Sequence, residues 1–418
     1  MTEPQPPILR EDTQVASEQA TEDIPSAHTE SAAEVSWRLR GQHALHVALS
    51  ALQTSWGRWT RLSRLVQVAI SLVTLVAILA LSLGIGAFVR SGHVPTSAIA
   101  RPPAPIPTAT EALPLPVTEF SVTTANSSPG DIAVGPDKNL WFTEVAGNRI
   151  GRLTPLGVLT EFTLPHSSSA PMGIVAGPDG AIWFTEADRI GRITVSGHIS
   201  EYALPTPHAS ARGITVGPDG NLWFTEYLAN RIGRITPRGR ITEYPLPTSH
   251  VAPLGITAGS DGNVWFTEFY GNAIGRIATD GSHLKTFTLP TPSGSLTATQ
   301  PTSIVAGPGG VLWFTEFYRR VGRITATGTI TQYALPHPPQ TLGVAVPGTI
   351  AVGSDGLLWL TDAASNEIWH VTVAGVATVY SPRATTPIRY SGPCGITLGP
   401  DGRLWFTEYY GNKVGRIT

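Results

Sequence analysis

The sequence has little of several residue types, and each shortage excludes a class of protein. Its 418 residues include a single cysteine, Cys394, which excludes an internal disulfide framework and any metal or redox site built from several cysteines. Only 14% of the residues are charged, and 28 basic against 30 acidic residues leave a net charge of −2. Because no basic surplus is present to bind phosphates by counterion release, we expect no nucleic-acid partner.

Glycine and proline, in contrast, are abundant, with 43 and 36 residues respectively. Both interrupt helices and occupy turns, so this content predicts many short elements separated by turns. An all-helical protein is excluded, and the composition favours a large, mostly β protein.

The first part of the chain has a different composition from the rest. Residues 1–34 carry eight acidic residues and one basic residue, which predicts a disordered acidic tail. Residues 35–64 place arginines among tryptophans and leucines without any acid, which predicts a basic amphipathic juxtamembrane segment. Residues 65–89 contain no charge, and as a helix they would extend about 37 Å, enough to cross a hydrocarbon core of about 30 Å. The sequence therefore predicts a single transmembrane helix at 65–89, followed by a proline-rich linker at 90–116.

The distribution of arginines predicts the orientation of this helix. Most of the flanking arginines precede the apolar run, and the side with more Arg and Lys usually stays in the cytoplasm. We therefore expect a single-pass cell membrane protein with a cytoplasmic N-terminus and residues 117–418 outside the cell.

After the linker, one sequence unit recurs seven times. Each unit contains a Trp-Phe-Thr-Glu tetrad or a close variant, and the tetrads are 40 to 48 residues apart; their tryptophans are Trp141, Trp183, Trp223, Trp265, Trp313, Trp359 and Trp405. A period of this length accommodates four short strands, as in a propeller blade. The pattern predicts an all-β fold, a seven-bladed β-propeller.

The two ends of the repeat region predict how the ring closes. The last unit reaches only its third strand at Thr418, whereas Val117-Thr-Glu-Phe matches the fourth-strand pattern seen at Leu159-Thr-Glu-Phe. We therefore expect the N-terminal strand to complete the last blade, which leaves few strand edges unpaired.

The repeated segments, such as Gly213-Ile-Thr-Val-Gly-Pro-Asp-Gly and Arg231-Ile-Gly-Arg-Ile-Thr, resemble those of the virginiamycin B lyase (streptogramin lyase) family over residues 117–418. This resemblance implies a seven-bladed propeller. It also implies an enzyme that opens the ester ring of type B streptogramin antibiotics by elimination.

The resemblance further implies a histidine base and a Mg²⁺ site in the last two blades. Here the two histidine positions hold Cys394 and Gly348, and the metal carboxylate positions hold Gly392 and Tyr409. Since Gly392 and Tyr409 lack the carboxylate oxygens that Mg²⁺ prefers, we predict no cofactor, and Mg²⁺ only if the lyase activity is retained.

Candidate ligand-binding residues lie where the repeats differ at one end of the ring. Aromatic residues follow four of the tetrads, and an uneven aromatic rim suits an apolar or ring-shaped ligand; they are Tyr227, Phe269, Phe317 and Tyr409. Arg212 stands at the start of its blade, where a guanidinium could meet an anion. His208, His250 and Cys394 complete the candidates, whereas the glutamates and tryptophans present in almost every tetrad are interpreted as structural.

These observations leave three functions open. The first is a membrane-anchored binding protein whose mouth takes a small molecule, peptide or glycan without the lyase reaction. The second is an active carbon–oxygen lyase that has recruited His208 or His250 as its base. The third is a platform for protein interactions, with the acidic tail contacting cytoplasmic partners.

Overall fold

The computed structural model describes residues 113–291, 299–317, 319–335, 347–383 and 391–418. The predicted acidic tail, juxtamembrane segment and transmembrane helix, and the linker up to residue 112, lie outside the described residues. Within the described ranges, no helix has the length and apolar character needed to span a membrane.

The described residues form 28 strands, arranged as seven four-stranded blades. In the first four blades the strands follow one another from the ring centre outward. Blade 1 has β2 (Pro129–Val134), β3 (Leu140–Glu144), β4 (Arg149–Leu153) and β5 (Leu159–Thr163); blade 2 has β6 (Ile174–Ala176), β7 (Ile182–Thr185), β8 (Arg189–Ile193) and β9 (Ile199–Ala203); blade 3 has β10 (Ala211–Val216), β11 (Leu222–Glu226), β12 (Arg231–Ile235) and β13 (Ile241–Pro245); blade 4 has β14 (Pro253–Ala258), β15 (Asn263–Glu268), β16 (Ala273–Ala278) and β17 (Lys285–Thr288).

The remaining blades keep this order, except that the last one takes its fourth strand from the start of the domain. Blade 5 has β18 (Pro301–Ala306), a short 3-10 turn at Pro308–Gly310, β19 (Leu312–Glu316), β20 (Arg320–Ile324) and β21 (Ile330–Ala334); blade 6 has β22 (Pro347–Val352), β23 (Leu358–Asp362), β24 (Glu367–Val371) and β25 (Ala377–Arg383); blade 7 has β26 (Pro393–Leu398), β27 (Leu404–Glu408), β28 (Lys413–Ile417) and β1 (Leu113–Ser121).

Strand β1 closes the ring as the sequence predicts. It pairs antiparallel with β28, with Val117 opposite Ile417 and Ser121 opposite Lys413. The strand begins at Leu113, slightly upstream of the predicted start of the propeller, because its first residues also pair in parallel with β25 of blade 6. Blades 6 and 7 are thereby joined into one eight-stranded sheet.

In six blades the tetrad threonine donates a hydrogen bond to the next blade. In blade 1 the Thr143 hydroxyl accepts a hydrogen bond from the Asp131 N–H (3.0 Å) and donates one to the Met172 carbonyl of blade 2 (2.9 Å). Equivalent donated bonds run from Thr185, Thr225, Thr267, Thr361 and Thr407. Because Thr407 bonds to the Gly130 carbonyl of blade 1, the threonine bonds also cross the closure of the ring.

The tetrad tryptophan packs between neighbouring blades, which agrees with the prediction that it has a structural role. Trp223 is fully buried and contacts residues of blade 4, while its ring stacks on Tyr244 of its own blade at 5.5 Å. The Arg234 guanidinium lies 5.6 Å from the Trp223 ring centre, and the indole N–H donates to Asp219 (3.0 Å). Arginine and tryptophan thus act together in the interior of the repeat.

The tetrad phenylalanine needs a glycine opposite it on the third strand. In blade 3 a Cβ atom added to Gly233 would lie 2.1 Å from the Phe224 ring, so only glycine fits beside the buried ring. Blade 6 exchanges these sizes, since Leu360 takes the phenylalanine position and Trp369 the glycine position opposite it. Trp369 is 1% exposed, so this departure from the repeat fills the interior of the blade.

The exchange predicts strong coupling between Leu360 and Trp369. Replacing Trp369 by glycine removes a buried indole, and we expect a loss of about 3 kcal/mol in the free energy of unfolding. Adding Leu360→Phe restores the arrangement of the other blades, so the double variant should recover most of this loss. Urea unfolding of the two single variants and the double variant measures the coupling, and additive effects would contradict the exchange.

Candidate functional site

One end of the ring, which we call the mouth, is formed by the loops that precede each first strand and those that follow each second strand. In blade 3 these loops are residues 204–210 and 227–230. Backbone hydrogen bonds join the two loops within a blade: the N–H of Tyr227 donates to the Ser210 carbonyl, and Phe269, Phe317 and Tyr409 make the same bond in their blades. The fold therefore places the first residue after each of these tetrads beside the start of its own blade.

Three of the four predicted aromatic residues come together across blades 3, 4 and 5. Tyr227 and Tyr270 have ring centres 6.2 Å apart, Tyr270 and Phe269 are 4.9 Å apart, and Phe269 and Phe317 are 6.0 Å apart. We call these four residues the aromatic row. Tyr409 lies on blade 7 and pairs instead with Tyr410 at 5.2 Å, so it belongs to a separate aromatic pair.

Arg212 extends the aromatic row at its blade 3 end. Its guanidinium lies 5.5 Å from the centre of the Tyr227 ring, and partial burial lowers the pKa of Arg212. Burial and the neighbouring Tyr270 hydroxyl raise the pKa of Tyr227, so its phenol stays neutral beside the cation. The structure thus assembles one candidate site from a cation and adjacent aromatic rings.

His208 and His250 occupy equivalent positions in the loops before blades 3 and 4. Both residues have a left-handed backbone, with φ of 55° and 59°, a conformation shared by Asn126 and Ser168 at the same loop position. The His208 side chain is 92% exposed and lies 3.8 Å from Asp188. The left-handed conformation at this position therefore belongs to the loop and does not depend on histidine.

Cys394 lies beside the partly buried carboxyl group of Asp131 near the ring centre. Burial, with a smaller contribution from Asp131, raises the pKa of the Cys394 thiol to about 12, so the thiol is protonated at neutral pH. Asp131 accepts hydrogen bonds from the N–H groups of Ile132 (2.9 Å) and Ile174 (3.1 Å), yet burial raises its pKa to about 6. The sequence reasoning missed Asp131, although it replaces the glycine found at this position in four other blades.

The positions that the family resemblance assigns to catalysis do not fit Mg²⁺ or a histidine pair. A Cβ atom on Gly348 would lie 2.5 Å from the Thr361 hydroxyl oxygen and 2.6 Å from the Cys394 carbonyl oxygen, so a larger side chain requires a shift of the backbone. Gly392 has a φ of +64° and lies under Tyr410. Across the described ranges, no group of three or more His, Cys, Asp or Glu side chains could hold a metal ion.

The tetrad glutamates form buried carboxyl pairs with fourth-strand glutamates in four blades. We call these the carboxyl pairs: Glu144 with Glu161, Glu186 with Glu201, Glu226 with Glu243, and Glu408 with Glu119. Burial and the second carboxylate raise the pKa of Glu226 to about 8 and that of Glu408 to about 7. Among the described residues, neither carboxylate oxygen of these two glutamates has a hydrogen-bond donor.

The arginine of Ile-Gly-Arg does not pair with the tetrad glutamate in blades 2, 3 and 4. That arginine lies over the tetrad tryptophan instead, and in blade 2 Arg192 pairs with Asp179 at 2.7 Å. In blade 5 the Gln332 amide donates to both carboxylate oxygens of Glu316 (3.0 and 3.1 Å), and the Arg320 guanidinium lies 3.8 Å from the same carboxylate. The side chain that faces the tetrad glutamate in these blades is therefore set by the fourth-strand residue, a glutamate in four blades and a glutamine in blade 5.

Comparison with known proteins gives a consistent family. The model of the virginiamycin B lyase family matches residues 111–299 and 293–418. No curated protein matches the chain significantly. Among solved structures, virginiamycin B lyase from Staphylococcus aureus is 38% identical with a TM-score of 0.65, over 72% of this chain and 98% of that one. A streptogramin B lyase structure is 36% identical with a TM-score of 0.66, over 72% and 97% of the two chains.

A third solved structure is a catalytically inactive histidine-to-alanine variant of the S. aureus lyase with quinupristin. It is 38% identical, with a TM-score of 0.65, over 72% of this chain and 98% of that chain. More distant propellers, such as hydrazine synthase from Kuenenia stuttgartiensis at 16% identity, share the fold alone.

Proposed function

Because this chain belongs to the virginiamycin B lyase family, we propose that it is a membrane-anchored member which binds a small ring-bearing ligand at its mouth and does not open that ligand's ring. The observation that carries the proposal is that a cysteine, Cys394, stands at the position where the family resemblance places the histidine base. A protonated thiol with a pKa of about 12 occupies the position of the family's base, and such a thiol is a poor acceptor of a proton at neutral pH.

The surroundings of Cys394 support the same proposal. Gly348 leaves no space for the second histidine on this backbone, and Gly392 and Tyr409 offer no carboxylate to a metal. The aromatic row and Arg212, in contrast, supply apolar surface and a charged group that fixes orientation, which are the usual components of a small-molecule site.

Membrane anchoring is part of the proposal and rests on the uncharged run at 65–89. The excess of arginine before this run supports an extracellular propeller. In that arrangement the mouth would meet ligands outside the cell.

We expect no ring opening when residues 103–418 are incubated with quinupristin and Mg²⁺. This part contains every described strand and forms its own compact unit, and the solved lyases match the propeller over nearly their whole length, so it should fold by itself. Because elimination adds no water, the linear product has the same mass as the ring, so liquid chromatography with tandem mass spectrometry is needed to distinguish the two; the S. aureus lyase is the positive control.

A chelator separates the outcomes of this experiment. Ring opening that EDTA abolishes would contradict the proposal and establish a relocated base and metal site. In that case a variant with His208→Ala and His250→Ala tests whether either histidine is the base. Circular dichroism of each preparation confirms that a negative result comes from a folded propeller.

A further inference from the structure

Arg212 is the one charged residue among the seven equivalent positions at the start of the blades. The others are Gly130, Met172, Leu254, Thr302, Gly348 and Cys394. The backbone of Arg212 already has its structural role, since its carbonyl accepts hydrogen bonds from the Thr185 hydroxyl (2.6 Å) and the Gly173 N–H (3.2 Å). The propeller therefore needs only the backbone of this residue to join the blades, and the guanidinium is not part of that contact.

The Arg212 guanidinium has no anionic partner in the part of the chain that the structure describes. The guanidinium is partly buried and contacts the Tyr227 ring. Asp188, in the loop that is hydrogen-bonded to the start of blade 3, accepts a hydrogen bond from the Ala209 N–H (3.0 Å) and lies 3.8 Å from His208. A half-buried cation with several N–H donors and no counter-ion favours binding of an anion.

The aromatic row continues from Arg212 and exposes one of its rings. Tyr270 is 58% exposed, although it contacts both Tyr227 and Phe269. Such a ring offers a planar apolar surface close to the cation, and aromatic rings pair favourably with one another at these separations.

From this juxtaposition we propose that the mouth binds an aromatic carboxylate, with the carboxylate on Arg212 and the ring against Tyr227 and Tyr270. This inference rests on the proposed binding function and names the chemical class of its ligand. A planar carboxylate matches the paired N–H groups of a guanidinium, which explains the choice of this anion.

Two matched probes test the charge requirement in residues 103–418. Isothermal titration calorimetry at fixed low salt compares naphthalene-2-carboxylate with naphthalene-2-carboxamide, which has the same rings without the charge. We expect the carboxylate to bind at least about tenfold more tightly, because hydrogen bonds to charged groups contribute about 1.5 kcal/mol or more. Arg212→Gln should remove this preference, and Arg212→Lys should keep part of it.

Aromatic variants test the placement of the ring. Tyr270→Ala should weaken binding of both probes, whereas Tyr410→Ala, which removes a tyrosine of blade 7 that is 69% exposed against 58% for Tyr270, should leave both unchanged. Failure of the carboxylate to bind, equal affinity for both probes, or a preference that survives Arg212→Gln would overturn the inference.

The titrations and the quinupristin experiment together distinguish a failure of this inference from a failure of the proposed function. Equal binding of both probes, weakened by Tyr270→Ala, would overturn the carboxylate class while the mouth remained a binding site. Ring opening of quinupristin would overturn the proposed function and leave the Arg212 result to stand by itself.

Discussion

The propeller is expected to melt about 10 °C lower at pH 8.5 than at pH 5.5. The reason is the set of carboxyl pairs, in which the pKa of the tetrad glutamate is raised to about 7 in Glu186 and Glu408 and to about 8 in Glu144 and Glu226. In each pair the folded state keeps a proton that the unfolded state releases above its ordinary pKa of 4.5. Stability is therefore fully present below pH 4.5 and is lost as the pH rises through 7 to 8.

The magnitude follows from the number of pairs. A pKa shift of one unit corresponds to about 1.4 kcal/mol, so about 1 kcal/mol per pair is a low estimate. Four pairs then give about 4 kcal/mol, or about 10 °C in a domain of this size. Asp131, with a pKa raised to about 6, changes stability in the same direction. Differential scanning calorimetry at the two pH values measures the shift.

Blade 5 provides the matched control for this prediction. Its Gln332 donates to Glu316, so no carboxyl pair exists there. Glu226→Gln should raise the melting temperature at pH 8.5 and have little effect at pH 5.5, because the amide donates to Glu243 without a proton from solution. Gln332→Glu should have the opposite effect at pH 8.5. Equal melting at both pH values in the unaltered propeller would contradict the role of the pairs.

The repeat made the fold predictable from sequence, including its closure. The tetrads at Trp141 through Trp405 set the number of blades, and Val117-Thr-Glu-Phe identified the strand that completes the last one. The compensation between Leu360 and Trp369 could not be predicted from sequence. Each residue departs from the repeat, and only the strand register shows that the two lie opposite each other. Pairing across strands is a property of the sheet and not of either segment.

The candidate site was predictable as a set of residues but not as an arrangement. Tyr227, Phe269 and Phe317 were identified because they follow the tetrads, whereas the joining role of Tyr270 depends on ring positions in two blades. Asp131 could have been found by aligning the residue before each first-strand isoleucine, where glycine predominates. Burial raises the pKa of Asp131 and those of the tetrad glutamates in the carboxyl pairs. The extent of burial is known only from the folded structure, so these pKa shifts could not be predicted from sequence.

The largest expected effect concerns β1. A propeller that begins at residue 123 should lose the cooperative unfolding of residues 103–418, because β28 would become an open strand edge in blade 7. The deletion also removes the Phe120 ring from its stack on Trp405 at 5.3 Å and the Glu119–Lys413 ion pair. Calorimetry and near-ultraviolet circular dichroism compare the two chain lengths.

A rearranged chain tests whether cooperative unfolding needs only the presence of this strand in blade 7 or also its place at the start of the sequence. The Thr418 N–H donates to the Pro116 carbonyl (3.1 Å), so the end of β28 already lies beside β1. Blade 3 connects its third and fourth strands by Thr236-Pro-Arg-Gly-Arg, with Ile235 paired to Ile241. Placing Pro-Arg-Gly-Arg and then residues 117–122 after Thr418 reproduces that connection and should restore cooperative unfolding. If the shortened chain melts like residues 103–418, or the rearranged chain stays unfolded, closure by β1 does not determine the stability of the ring.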